Sequence, residues 1–356
     1  KIADGTIATA YIADSAVTKV KTTGVVSDPF RNKIINGGFE TSQRSGTDAT
    51  AFANNVYGLD RWLNYLNGSC GANYQQLGAA NSVVTSLQTT SGINFSNAFY
   101  LDCTTAASLG STDLLSVLQK IEGYNHNALA GKSMTLSFWV RSNVTGTFCV
   151  AFKQGSSKTY VVEYTISSAN TWENKNITLT NDTLANYNTN TSVTNGSSLQ
   201  VNFTLRLGTS SQQTTTGAWN SGNFYGTSNQ TTWGTSTDDV FYLAGVQLEL
   251  GSSASDFEFL PFDVNMRRCH RYFCTTDTIG TVQAGYPARA FSSSGLSFAV
   301  VLPAPLRASP TSTLVGTLRA FPGDSGTYKD STSSLSVGGY TNLNSNMSPV
   351  SMEGNF

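Results

Sequence analysis

Two histidines, five cysteines and seven glutamates are scattered through 356 residues, and their spacing bounds the chemistry open to the chain. Glycoside cleavage needs two carboxyls about 5 to 9.5 Å apart, one of them held protonated. No acidic pair falls within a local motif of that kind. A Ser-His-Asp arrangement would rest on His126 or His270, and no GxSxG turn surrounds any serine. Cys269-His270 and Cys274 lack the paired CxxC spacing of a zinc site. No catalytic residue is assigned, and the chain is expected not to be an enzyme.

Binding chemistry is better supplied. Residues 208–237 carry no charge, and they hold Trp219, Phe224, Tyr225 and Trp233 among Asn220, Asn223 and Gln230. Aromatic faces flanked by amides suit the apolar face and the hydroxyls of a sugar ring. Trp219, Tyr225 and Trp233, with Trp172 in the turn-like stretch 169–172, are the candidate glycan-binding residues. The competing reading has Trp219 and Trp233 anchoring a long loop, with Trp62 and Trp139 in the core. Tyr286, Tyr328 and Tyr340, in loop-like parts of the C-terminal region, are further aromatic candidates. Glu40, Asp238 and Asp239 offer hard oxygens from the first and last strands, a candidate structural Ca²⁺ site. Plain surface carboxylates at strand ends are the alternative. Arg267, Arg268, His270 and Arg271 form the basic cluster, which suits a salt-bridged junction better than an acidic ligand.

These residues must be positioned by strands. Charged residues make up 12% and aromatics 11%, with Gly, Ser, Thr and Asn filling much of the rest. That composition suits many short strands with small polar turns, and it excludes a charge-rich disordered chain. Met134, Leu136, Phe138 and Val140 alternate along one face, as do Leu199, Val201, Phe203, Leu205 and Leu207. Residues 148–153, 159–166 and 240–250 are further strand runs. Residues 114–121 read equally as a strand or a short helix. Many strands with turns between them imply a two-sheet sandwich. Beyond residue 273 the pattern restarts: 297–302 reads as a buried strand, with 311–315 and 317–320 as pairing partners. The net charge of −1, with no basic stripe, argues against nucleic acid. No stretch approaches the roughly 18 apolar residues of a spanning helix. The cysteines are too few and scattered for a disulfide scaffold, and reduced thiols are expected.

The first 21 residues repeat one decad, with Ile2, Ile7, Ile12 and Val17 five apart and a turn at Asp4-Gly5 and at Asp14-Ser15. Side chains spaced this way need stacked or symmetry-related neighbours to be buried. Three chains about one axis would supply them.

The decads resemble the repeats in the shafts of phage tail fibres. Asn36-Gly37-Gly38-Phe39-Glu40 with Trp62 resembles the opening of jelly-roll carbohydrate-binding modules. The ordered series Trp219-Asn-Ser-Gly-Asn223, Gly245-Val-Gln-Leu-Glu249, Phe257-Glu-Phe-Leu-Pro261 and Cys269-His-Arg-Tyr-Phe273 is similar to the carbohydrate-binding-type domain of phage tail fibres. Arg307-Ala-Ser-Pro-Thr311 resembles a motif that follows in the same proteins. The chain departs from that pattern at 263–268, where Asp263-Val-Asn-Met-Arg-Arg268 replaces an acidic-polar stretch.

The resemblance implies an all-β chain: a decad-repeat stalk at 1–28, a jelly-roll sandwich at 29–263 and a smaller C-terminal β domain at 264–356. It implies a virion tail-fibre protein, assembled in the bacterial cytoplasm, that adheres to a host surface glycan or receptor. The expected partners are two further copies in a homotrimer and other tail proteins, through a region upstream of Lys1. Neither nucleic acid nor membrane insertion is expected. No cofactor is required, beyond the candidate Ca²⁺. The alternatives are a purely structural fibre or decoration component and a glycan-depolymerising tailspike.

Overall fold

The structure, a computed structural model, describes residues 30–126, 131–154, 158–179, 196–275 and 302–308, together with the backbone of six short strands between 288 and 355. The decad segment, Tyr286, Tyr328 and Tyr340 lie outside the described residues. The strands run β1 Thr50–Ala51, β2 Val56–Tyr57, β3 Trp62–Asn67, β4 Gly71–Gly78, β5 Asn97–Thr105, β6 Leu114–Glu122, β7 Met134–Ser142 and β8 Gly146–Gln154. They continue as β9 Lys158–Ile166, β10 Glu173–Leu179, β11 Ser197–Leu207, β12 Gln212–Gln213, β13 Trp219–Ser221, β14 Gly226–Thr227 and β15 Val240–Leu250. Among the described residues three α-helices intervene: α1 Ser82–Ser91, α2 Gly123–His126 and α3 Phe262–His270.

The fold is an all-β sandwich of the jelly-roll type. One sheet has the order β1-β4-β5-β15-β7-β10 and the other β13-β9-β8-β11-β6-β3-β2. From β5 to β8 successive strands alternate between the sheets, and after the β8-β9 hairpin of the second sheet β10, β11 and β15 alternate again: β6, β8, β9 and β11 lie in the second sheet, β5, β7, β10 and β15 in the first. Residues 114–121, ambiguous in sequence, form β6. Leu136, Phe138 and Val140 of β7 face Val201, Phe203 and Leu205 of β11 across one buried core. Phe138 meets Phe203 edge-on at a centroid distance of 5.0 Å. Each such aromatic pair adds about 0.5–1.5 kcal/mol to the burial of its area.

The alternation in β11 stops short of Leu207. A bulge between Thr204 and Arg206 shifts the register against β6, so Arg206 pairs with Leu115 and turns inward. Leu207 turns outward to pack with Leu114 and Tyr225. Arg206 is fully buried, with its guanidinium on Asp113 (2.9 Å) and on the carbonyls of Ala107, Ser108 and Trp233. Removing either partner of such a buried pair costs about 3–5 kcal/mol.

The motifs that set the sequence apart hold the sandwich together. Asn36 adopts a left-handed conformation (φ 59°), and its side-chain amide donates to the carbonyls of Thr41 and Asp60. A Cβ on Gly37 would sit 2.0 Å from the Val246 carbonyl oxygen, so this strand contact admits glycine alone. Phe39 stacks on Trp62 at 4.9 Å. α3 crosses residue 263, the expected domain boundary, and Asn265 and Cys269 on it are buried against the sandwich. Beyond it Arg271 grips Glu122 at 3.1 Å, while Arg61 lies 3.4 Å over Tyr272 and Arg44 3.6 Å over Phe273. The basic cluster therefore includes the ion-paired junction read from the sequence.

In the C-terminal part, β16 Ala288–Ser292, β17 Gly295–Val300, β20 Ser336–Gly338 and β21 Val350–Asn355 form a sheet of order β16-β17-β21-β20. β18 Arg319–Ala320 pairs with β19 Lys329–Asp330 and not with β17, contrary to the pairing read from sequence. Residues 311–315 lie outside the described residues.

Candidate functional site

A groove of about 290 Å³ lies on the outer face of the second sheet. Strand alternation builds it. Side chains directly opposite one another on paired strands share a face, and register places three rows across β3, β6, β11, β8 and β9. The first is Tyr65, Ser116, Thr204, Cys149 and Glu163, and the second is Leu63, Leu118, Asn202, Ala151 and Val161. The third is Lys120, Gln200, Lys153 and Thr159.

The segment after β11 covers half of this face. β13 pairs with β9 and forms the edge of the sheet, and Phe224 packs on Cys149, Ala151 and Val161. The Thr204 hydroxyl donates to the Tyr225 carbonyl (2.7 Å), and the Thr159 hydroxyl to that of Gly222 (2.8 Å). The β3-β6-β11 half stays open, lined by Asn55, Leu63, Tyr65, Leu118, Lys120, Gln200 and, from the cover, Asn223 and Tyr225. Tyr225 stacks on Tyr65 at 5.9 Å. The Lys153 ammonium lies 3.6 Å from the centre of the Tyr225 ring and donates to Asn223 Oδ1. Burial, reinforced by the charge of Lys120, brings the Lys153 pKa down to about 8. Burial likewise pushes the Tyr225 phenol up to about 12.

Of the four aromatic residues read from sequence, Tyr225 alone lines this groove. Trp233 is fully buried in the core, its backbone N–H donating to Leu205. Trp172 is 3% exposed beneath α1, and its indole N–H donates to the Val83 carbonyl at 3.0 Å. Neither indole has a free face for a sugar, because tertiary packing has claimed both. Trp219 is partly buried edge-on to Tyr160 at 5.5 Å, at the rim of the sandwich. Trp139, expected in the core, points to the other side of β7 and packs with the cluster under α1.

The carboxylates read as a Ca²⁺ set are not brought together. Asp239 Oδ2 accepts the N–H groups of Gly234, Thr235 and Ser236 at 2.8, 3.0 and 3.2 Å, closing the turn before β15. Asp238 is exposed beside it. Glu40 lines a separate cleft with Gly37, whose carbonyl accepts from Val246 in the middle of β15. Seven residues of strand separate 239 from 246, roughly 20 Å at about 3.3 Å per residue. Glu40 instead accepts from Asn265 at 3.2 Å, and burial raises its pKa. Among the described residues no group of three or more His, Cys, Asp and Glu side chains is placed to hold a metal ion. His126, one of the two histidines weighed as a catalytic base, lies 2.6 Å from the Ser198 hydroxyl through Nδ1. Both residues are buried, and burial lowers the imidazole pKa to about 4, so the ring is neutral.

Lys120, Lys153, Gln200, Asn55 and Tyr65 were not singled out in the sequence. The signal was present in the outward half of each alternating strand: Gln200 between Leu199 and Val201, and Lys153 after Phe152.

No protein-family model matches the chain, and no curated protein sequence does. Among solved structures it is similar to the enzymatically active domain of tailspike protein 4 of bacteriophage CBA120, at 14% identity over 64% of this chain and a TM-score of 0.31. The matched part is 22% of that chain. It is also similar to TmCBM61, solved with β-1,4-galactotriose, at 12% identity, 62% of this chain and 99% of that one, with a TM-score of 0.31. The tripod from the baseplate of bacteriophage Tuc2009 matches at 14% identity, 64% of this chain and 57% of that one, with a TM-score of 0.25. Likenesses this distant assign neither ligand nor activity to the present chain. Phage tail proteins and carbohydrate-binding modules are among the proteins this sandwich is similar to.

Proposed function

We propose that the chain is an adhesive component of a phage tail fibre, and that it binds a host-surface saccharide in the groove over β3, β6 and β11. The groove itself carries the reading. It combines an aromatic wall of Tyr65 and Tyr225 with amides from Asn55, Gln200 and Asn223 and ammonium groups from Lys120 and Lys153. That mixture suits a sugar ring, which presents an apolar face and a rim of hydroxyls. Its volume is that of a small ligand site.

The sequence resemblances supply the setting. Decads like those of fibre shafts precede a sandwich like those of sugar-binding modules. In this reading three copies share a stalk, and weak sites gain from effective concentration. Light scattering on the chain with its decads intact tests the trimer: a mass three times the monomer's supports it, and a stable monomer contradicts it.

Binding is tested by titrating host-surface polysaccharide and its oligosaccharides into the protein. Tyr65→Ala removes one wall of the groove, and the affinity should fall about five-fold, the value of one aromatic contact of about 1 kcal/mol. Unchanged affinity would move the site elsewhere. Release of shorter fragments from the polysaccharide would replace the adhesive reading with a depolymerising one.

A further inference from the structure

The open half of the groove is not electrostatically neutral. Lys120, Gln200 and Lys153 stand in one register row on three adjacent strands. Strands lie about 4.8 Å apart, so the two lysine backbones are separated by about 10 Å. Both side chains line the same groove, and no carboxylate is among its lining residues. Glu163, which faces outward on β9, is engaged with the Thr227 hydroxyl (2.5 Å) and the Asn229 amide (3.1 Å), in another row.

A lysine is seldom buried without a charged partner. Lys153 is 3% exposed and forms no ion pair among the described residues. Its ammonium is held by the Tyr225 ring and by Asn223 Oδ1, so only one of its three N–H donors has an oxygen acceptor. The hold is built deliberately into the backbone: Gly222 sits at φ 135°, and the Thr159 hydroxyl fixes its carbonyl next to Asn223. Two like charges have thus been gathered in a half-desolvated site, where each disfavours the other.

We propose that the groove is selective for an acidic saccharide, whose anionic group sits between the ammonium groups of Lys120 and Lys153. This inference rests on the groove being the saccharide site. An anion there would accept the spare donors of Lys153 and relieve the repulsion between the two lysines. The depressed pKa of Lys153 agrees, since it records burial and the field of Lys120 with no counter-charge. The groups beside Lys153 are Lys120 on β6, Gln200 on β11, Thr159 on β9 and, from the cover, Asn223 and Tyr225, with Tyr65 of β3 lining the same groove. Tyr225, pushed up to about 12, stays neutral where Lys153 titrates.

The test is calorimetric titration of the full chain with matched pairs: oligogalacturonate against galacto-oligosaccharide of equal length, sialyllactose against lactose, and a phosphorylated against an unphosphorylated oligosaccharide. At pH 7 an acidic member should bind at least about ten-fold more tightly than its neutral partner, the value of one charged hydrogen bond. Lys120→Gln and Lys153→Gln should each lower the acidic member's affinity by more than the neutral member's, and so abolish that preference. Lys120 is partly exposed, so its variant reports even if the buried Lys153→Gln unfolds. The preference should also decline as pH rises through about 8.

Equal binding within every pair, or preference for the neutral member, would overturn the anion selectivity and leave the groove as a saccharide site. Failure of every probe to bind, or binding indifferent to Tyr65→Ala and both lysine variants, would overturn the site as well.

Discussion

The two outer faces of the sandwich differ. On the first sheet, Leu77, Ala98, Tyr242 and Ala244 point outward and are sealed by Val84 and Leu87 of α1, by Phe95 and by Trp172. On the second, the outward rows mix Ser116, Thr204, Asn202, Gln200, Lys120 and Lys153 with Leu63, Leu118, Ala151 and Val161, and the cover stops half-way. An apolar outward row must be buried, so a helix is laid across it. A polar row tolerates water, so it can be left open and put to use. One face is therefore sealed for stability, and the other is the face to which the proposed function assigns recognition.

The comparison breaks if a residue of the sealed face changes binding without changing stability. Trp172→Ala should destabilise the chain by about 3–5 kcal/mol in a urea titration, the usual cost of deleting a buried tryptophan. Saccharide affinity of the folded fraction should be unaltered. Retained stability with lost binding would put the site on the wrong face.

A second experiment sharpens the contrast through pH. Lys153 has a folded pKa of about 8 against 10.5 for the free side chain. Between these values the unfolded chain binds more protons, so this residue's contribution to stability rises with pH. Lys153→Met, which removes the charge, should be more stable than the parent at pH 7. That advantage should shrink by about 2–3 kcal/mol by pH 10, at about 1.4 kcal/mol per pH unit. The parent-minus-variant difference cancels ionisation elsewhere, that of tyrosines included. A difference that does not vary with pH would mean that Lys153 is solvated and the groove is not desolvated at that end.

The smallest effect tests the seal itself. Asn81 caps α1, its side chain accepting from the Val83 N–H at 2.9 Å. Asn81→Ala should cost about 1 kcal/mol, with no effect on the groove.

How far the sequence foretold these faces depended on range. Strand alternation identified Met134, Leu136, Phe138 and Val140, and Leu199 to Leu205, as core, because period-two patterning is local. It misplaced Leu207, since the bulge at Thr204 and Arg206 is set by the pairing of Arg206 with Asp113, whose partners lie almost a hundred residues apart. α1 was missed because Ser82–Ser91 is rich in Ser and Thr, which favour other conformations. Its one clear local signal is the Asn81 cap with Gly92 at φ 69°. The chemistry of their neighbours makes Trp172 and Trp233 sugar-binding candidates, with loop anchoring the competing reading for Trp233, and both are committed to contacts with distant elements. The groove was hidden for the same reason: its walls come from β3, β6, β8, β11 and the cover, and register alone aligns Lys120, Gln200 and Lys153.

The most direct measurement of the central claim is a crystal structure of the chain soaked with the tightest-binding oligosaccharide. The account predicts the sugar over β3, β6 and β11, against Tyr65 and between Lys120 and Lys153. Density for the sugar on the α1 face or at the 234–239 turn, with the groove empty, would contradict it.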